Sequence, residues 1–217
     1  MTTYDQLVAG LSVVFDQLGQ GLQYWIGLAG APGSGKSTLA EVLRKRLPEK
    51  ITVIPMDGYH YYRNQLDAME DPEEAYARRG APFTFDAERC VRELVAARKK
   101  GAGLFPSFDH GIGDPIEEAI ELKAGDQIVI VEGNYVLLDR SPWSMLKKDV
   151  FDETWFLEVN PEECDRRVEN RHVATGLTRK QAAERASSND RLNADLIRKE
   201  SARNANRILQ ITSLQPD

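Results

Sequence analysis

The chain predicts an α/β fold: a three-layer arrangement in which helices cover both faces of a mostly parallel sheet. Three observations carry that prediction. Short apolar runs at 24–29, 51–55, 128–131 and 154–159 alternate with segments of helical periodicity. The run 128–131 is wholly β-branched, as expected of a strand buried on both faces. No internal repeat, low-complexity tract or Pro/Gly/Ser linker divides the 217 residues, so one domain over 1–217 is expected.

The elements follow in order. Leu7, Val8, Leu11, Val14, Phe15 and Leu18 recur at helical spacing, which predicts a helix over 3–18 that covers one face of the core. Gly19 and Gly21 end it. The strand 24–29 runs into a glycine-rich turn and then a helix over 37–47, stopped by Pro48. After the strand 51–55, a polar and aromatic stretch reads as a loop or short helix. Cys90, Val91, Leu94 and Val95 mark a helix over 86–100 with Asp86 as its N-cap. Residues 104–108 and 116–122 read as two brief strands around a glycine-rich turn. Pro161 opens a helix to about residue 170, a break of small residues follows at 174–178, and 179–206 is largely helical. Residues 207–212 are expected to close the sheet.

Composition excludes several classes. Hydrophobic residues make up 41% and charged residues 29%, a globular balance and not a disordered one. A net charge of −6 argues against bulk attraction to nucleic acid or anionic lipid, so neither partner is expected. Cys90 and Cys164 stand far apart without a CxxC, so reduced thiols are expected and not a disulfide or zinc site. No apolar run approaches the roughly 18 residues that span a bilayer. The first basic residue is Lys36, so the charged start of a secretory signal is missing and a cytoplasmic location is expected.

The strongest motif lies between the first strand and the second helix. Gly30-Ala31-Pro32-Gly33-Ser34-Gly35-Lys36-Ser37 fits the Walker A pattern GxxxxGK[ST], and Thr38 follows. Glycines let the backbone wrap closely and aim its N–H groups at phosphate oxygens, and the helix that follows presents its positive end to the same anion. Lys36 is then expected to neutralise β- and γ-phosphate charge, with the Ser37 hydroxyl on Mg²⁺. A dinucleotide fingerprint fits less well, because Thr38 stands where GxGxxG needs its last glycine. The motif predicts a bound nucleoside triphosphate.

Function in open parallel sheets gathers beyond the carboxyl ends of the strands, and two carboxylates stand there. Asp57 follows the strand 51–55 and Glu132 follows the run 128–131. Asp57 is assigned to accept a proton from an attacking hydroxyl and Glu132 to the metal shell. Capping a helix is the competing role for Asp57. Tyr59 and His60, in a polar and aromatic cluster that extends to Arg63, suit a substrate wall, as do Asp86, Asp109 and His110. No histidine belongs to an HxxxH or Cys/His pair, so none is expected to ligate a metal.

Between Asp165 and Arg207 the chain carries 11 basic and 6 acidic residues, a basic stretch in an acidic protein. Region 163–190, with Arg167 and Arg171, is expected to form a helical lid that brings guanidinium groups onto the transferred phosphoryl and excludes water. The competing reading is a solvated, salt-bridged face.

Taken together, the Walker A loop, Met56-Asp-Gly-Tyr-His60, Ala81-Pro-Phe-Thr-Phe-Asp86, Glu132-Gly-Asn-Tyr135 and Arg167-Val-Glu-Asn-Arg171-His172 resemble the phosphoribulokinase/uridine kinase family. Within it the chain looks most like bacterial fructose-transport-system kinases and nucleoside or pantothenate kinase relatives, over about residues 22–212. The resemblance implies a P-loop fold and Mg-ATP-dependent phosphorylation of a small-molecule hydroxyl. It matches Asp57 to the catalytic aspartate, Lys36 and Ser37 to the phosphate and Mg²⁺ contacts, and Arg167 and Arg171 to the lid arginines. It also brings Asn189, Asp190 and Asn193 towards the adenine. Uridine kinases of this family carry an arginine where this chain has Gly113-Asp114-Pro115, and Phe108 replaces their tyrosine. A sugar or polyol-like acceptor therefore fits better than a pyrimidine nucleoside. The alternative is a regulatory or transport-associated NTPase with no acceptor. A homodimer is compatible with either.

Overall fold

In the computed structural model, which describes residues 1–48, 50–109 and 111–211, five parallel strands form the central sheet in the order β2-β5-β1-β6-β7. These are β1 (Tyr24–Gly30), β2 (Ile51–Pro55), β5 (Ile128–Gly133), β6 (Glu153–Leu157) and β7 (Arg207–Leu209). A separate antiparallel hairpin pairs β3 (Gly103–Asp109) with β4 (Asp114–Leu122). Its register shifts between Phe105 and Ser107, where Pro106 has no N–H to offer the ladder.

The helices are α1 (Tyr4–Gln17), α2 (Lys36–Arg46), α3 (Arg63–Asp67), α4 (Pro72–Ala77), α5 (Ala87–Lys100), α6 (Ser144–Asp149), α7 (Pro161–Ala174), α8 (Arg179–Arg185) and α9 (Arg191–Glu200). A π-helical turn at Ala186–Asp190 joins α8 to α9. Local chemistry sets the ends. Thr3 and Gln6 form a capping box before α1, Asp86 accepts from the Arg89 N–H to start α5, and Gly101 closes α5 in the left-handed region.

Strand alternation divides the core into two layers. Trp25, Ala29, Val129, Val131 and Phe156 face one side, packed with Cys90, Val91 and Leu94 of α5 and Phe105 of the hairpin. Ile26, Leu28, Ile128, Ile130, Trp155 and Leu157 face the other, under Leu7 and Leu11 of α1 and Leu39 and Leu43 of α2. Each fully buried leucine contributes roughly 1.5–3 kcal/mol of transfer free energy. β5 is buried throughout, as its β-branched run requires.

The departures from the sequence reading are local. The strand 128–131 extends through Glu132 and Gly133, so Glu132 belongs to the strand end itself. The helix from Pro161 runs a turn further, to Ala174, and carries Arg171 and His172 in its last turn. Helix α6 has no counterpart in the sequence reading; its short span shows no period long enough to register. Of 207–212, β7 takes the first three residues, Ile211 bridges to Thr2, and Thr212 lies outside the described residues.

Candidate active site

The Walker A segment Gly30–Thr38 turns from the end of β1 into α2. Gly33 and Gly35 hold φ of 77° and 87°, the left-handed region where a side chain is strained. Gly33 is needed for space as well, since a Cβ there would strike the carbonyl of Cys164 on α7. No side chain caps α2 at Gly35, which leaves its first N–H groups for an anion. Inside the turn, the fully buried Ser34 hydroxyl has no hydrogen-bond partner in the protein. Ala31 and Pro32 are buried, while Ser37 and Thr38 are exposed at the opening. A cradle with unclaimed donors and an orphaned hydroxyl fits a polyphosphate.

Charge converges at the same point. Ser37 Oγ donates to Glu132 Oε1 at 2.9 Å. Glu132 is 6% exposed, and burial pushes its carboxyl up to about 7 despite the opposing pull of Lys36 and the Ser37 bond; the Asp57 charge pushes it further. Lys36 keeps part of its surface open at the cleft mouth, yet the atoms packed around its ammonium lower its pKa. Glu132 and Asp57 oppose that shift and Arg171 adds to it, so all three charges reach Lys36. Asp57 sits in the first turn of a 3₁₀ helix, Met56–Tyr59, at the end of β2. Pro55 occupies that turn's N-cap, and the Asp57 carboxylate makes no hydrogen bond among the described residues, so it is not spent on capping. Gly58 lets the hairpin dock here, for a Cβ would meet the Pro106 carbonyl.

Among the described residues no group of three or more His, Cys, Asp or Glu side chains could hold a metal. A nucleotide-bound Mg²⁺ needs only one or two protein oxygens beside phosphate and water, and the hydroxyl–carboxylate pair of Ser37 and Glu132 fits that hard-donor requirement.

The acceptor-side expectations divide. His60 lies against Phe85 and Phe108, with ring centroids 4.0 and 4.5 Å away, and its Nδ1 donates to the Asp57 carbonyl at 2.8 Å. Tyr59 is not a substrate wall. It is 1% exposed and its hydroxyl donates to Glu93 at 3.0 Å, because the 3₁₀ turn points it into the core. Asp86 is engaged as the α5 cap, and Asp109 Oδ1 closes the hairpin turn by accepting from the Gly111 and Ile112 N–H groups at 2.7 and 3.1 Å. These two acids have structural work that accounts for their positions. His110 lies outside the described residues.

Region 163–190 forms helices over the loop. Arg167 donates to Glu163 at 2.7 Å and to the Gly33 carbonyl at 3.3 Å, so it serves both the salt-bridged face and the phosphate loop. Arg166 is a surface partner of Glu163. His172 Nε2 lies 2.7 Å from Asp190 Oδ2, tying α7 to the π-helical turn. Beside Arg167 and Ala31, a cavity of about 720 Å³ opens between Leu157–Pro161 and Gln210–Ile211. Asn189 and Asn193 do not line it. They are buried, with Asn189 accepting from Arg78 at 2.9 Å and donating to the Arg79 carbonyl at 3.0 Å.

The sequence reading gives no role to Arg78, Arg79 or Tyr135, which is buried. The Tyr135 hydroxyl donates to the Gly80 carbonyl at 2.6 Å, and the charges of Arg78, Asp57 and Asp190 all reach it. Two adjacent arginines before the Ala81-Pro-Phe-Thr-Phe-Asp86 motif were the available signal.

Comparison with known proteins places the chain in a family. Residues 26–187 match a family model described as an AAA domain. A Schizosaccharomyces pombe protein with a provisional uridine kinase name is 44% identical over 184 residues, which is 80% of this chain and 77% of that protein. A crystal structure from Silicibacter sp. TM1040, titled provisionally as a fructose transport system kinase, has a TM-score of 0.82 at 33% identity, covering 96% of this chain and 99% of that one. Saccharomyces cerevisiae YFH7, described as a P-loop protein with a circular permutation, shares the fold alone, with a TM-score of 0.84 at 20% identity over 98% and 100% of the two chains. Among the described residues no helix is long and apolar enough to cross a membrane. The chain belongs to the P-loop family of that AAA-domain model, together with relatives that carry uridine kinase names.

Proposed function

We propose that this protein transfers the γ-phosphoryl group of ATP to an alcohol hydroxyl of a small polar metabolite, a sugar or a related polyol or nucleoside. The carrying observation is the Asp57 carboxylate, without a hydrogen bond among the described residues and close enough to Lys36 and Glu132 for its charge to act on both. The free backbone N–H groups of the Walker A turn hold the triphosphate, and the cavity beside Ala31 and Arg167 takes the base and ribose. Lys36 and Arg171 offset charge on the transferred group, and Arg167 braces the loop from α7. Ser37 and Glu132 hold Mg²⁺, which screens the phosphate oxygens when bound. Asp57 orients the acceptor hydroxyl and accepts its proton as the new P–O bond forms and the bond from the γ-phosphorus to the β,γ-bridging oxygen breaks, so that ADP leaves. The helices over the loop keep water from competing with the acceptor.

An acceptor screen with ATP and Mg²⁺, read as ADP formed, tests this directly. Asp57→Asn is expected to bind nucleotide normally and to lose about 10²–10⁴-fold in transfer. Undiminished transfer by that variant would remove Asp57 from its role. Acceptor-independent hydrolysis at the full rate would instead indicate an NTPase with no acceptor.

A further inference from the structure

We propose that the acceptor carries an anionic group, a carboxylate or a phosphate, and that Arg79 is the residue that holds it. This rests on the kinase reading above and narrows its substrate class.

Arg79 follows α4, and its side chain is only 15% exposed. One nitrogen, Nη2, makes all its hydrogen bonds, donating to the Tyr61 carbonyl at 3.1 Å and the Gly113 carbonyl at 2.6 Å. These carbonyls belong to the loop after Asp57 and to the hairpin turn, so the guanidinium is fixed between the two elements that flank the candidate acceptor side. Its carbon lies 5.6 Å from the centre of the Phe108 ring. Phe108 stacks on His60, and His60 is bonded to the Asp57 carbonyl. A continuous row therefore runs from the proposed base to the guanidinium: Asp57, His60, Phe108, Arg79.

The charge of Arg79 is incompletely matched. Asp114 is its ion-pair partner, but at 3.8 Å this is no hydrogen bond, and the same Oδ1 already accepts the Arg63 N–H at 2.8 Å. Burial lowers the Arg79 pKa more than Asp114 restores it. Nε and Nη1 have no hydrogen-bond partner among the described residues. Neighbouring Arg78, by contrast, gives its Nε to Asn189. A planar fork that is held rigidly, partly desolvated and left with unspent donors is suited to a carboxylate or phosphate. Tying two loops together through carbonyls alone would need no such cation.

The test uses matched acceptors: gluconate against sorbitol, erythronate against erythritol, and a pentose monophosphate against the free pentose. Calorimetric titration into protein saturated with Mg²⁺ and a non-hydrolysable ATP analogue reads acceptor binding, and ADP release with ATP reads transfer. At least one acid is expected to bind about tenfold or more tighter than its neutral partner. The carboxylate and phosphate arms distinguish the two sources of charge. Arg79→Met should erase that preference, and Arg79→Lys should keep part of it, while affinity for the nucleotide stays unchanged in both and so reports an intact fold. Equal binding of acids and neutral partners, no binding of any acid, or a preference that survives Arg79→Met overturns the inference. Acids that bind through Arg79 without ever being phosphorylated would leave Arg79 as an anion site and overturn the kinase reading, and with it the assignment of that site to an acceptor.

Discussion

A carboxylate 6% exposed at a strand end is a costly arrangement unless a cation is due to meet it, and Glu132 is in that position. Burial raises its carboxyl to about 7, and the opposing charge of Lys36, itself partly desolvated and shared with Asp57, does not offset that. Between about 4.5 and 7 the folded chain keeps a proton that the unfolded chain gives up. Glu132 therefore subtracts stability as pH climbs through that window in the free protein. Glu132→Gln keeps an oxygen for the Ser37 hydroxyl and deletes the charge. It is expected to raise the Mg²⁺ concentration needed for half-maximal activity by about tenfold or more, while metal-free nucleotide binding persists. A Mg²⁺ titration at fixed nucleotide checks this, and an unchanged midpoint would remove Glu132 from the metal shell.

At the scale of elements, the hairpin is positioned by a few charged contacts. Arg89 on α5 donates to both Glu117 oxygens, at 2.8 and 2.6 Å, and Tyr62 donates to the same carboxylate at 2.5 Å. These bonds, Arg89 foremost, hold the Glu117 carboxyl down to about 2. The contribution is complete above about 4.5 and disappears as pH falls through about 2. Glu117 is 44% exposed, so solvent screening keeps the stabilisation under about 1 kcal/mol. The consequence to measure is local. Glu117→Gln at pH 7 should speed hydrogen exchange of the hairpin amides several-fold and leave β1 and β5 protected. Equal protection of the hairpin in both proteins would place its docking in the apolar contacts of Phe105 and Leu122 alone.

These same elements mark what the chain discloses in advance. The phosphate loop is legible because its donors, glycines and lysine are contiguous. The buried strands are legible because β-branched runs have few other uses. Asp57 and Glu132 follow from standing at strand ends. Tyr59 misleads because an aromatic cluster without periodicity gives no sign of which ring turns inward. Arg79 stays hidden because its partners, Tyr61 and Gly113, lie 18 and 34 residues away and are backbone carbonyls that any sequence supplies.

For the whole molecule, nucleotide should act as a clamp. The candidate phosphate and base sites draw on the end of β1, the start of α2, the end of β6, α7 and the segment after β7, so a bound triphosphate would join both core layers and the helical cap. A ligand that binds only the folded chain stabilises it by about 2.7 kcal/mol at a hundred times its Kd. In a chain of this size that corresponds to roughly 5–10 °C in Tm. Mg-ATP is expected to produce such a shift, and Lys36→Met, which deletes the ammonium without lengthening the side chain, should abolish most of it. Arg167→Ala should lose only part, because it removes the brace from α7 to the Gly33 carbonyl and leaves the loop's own amides in place. Differential scanning fluorimetry across a nucleotide titration separates these outcomes. A full shift in Lys36→Met would mean that the nucleotide binds elsewhere, and the roles given to Ser37, Glu132 and Asp57 would fall with it.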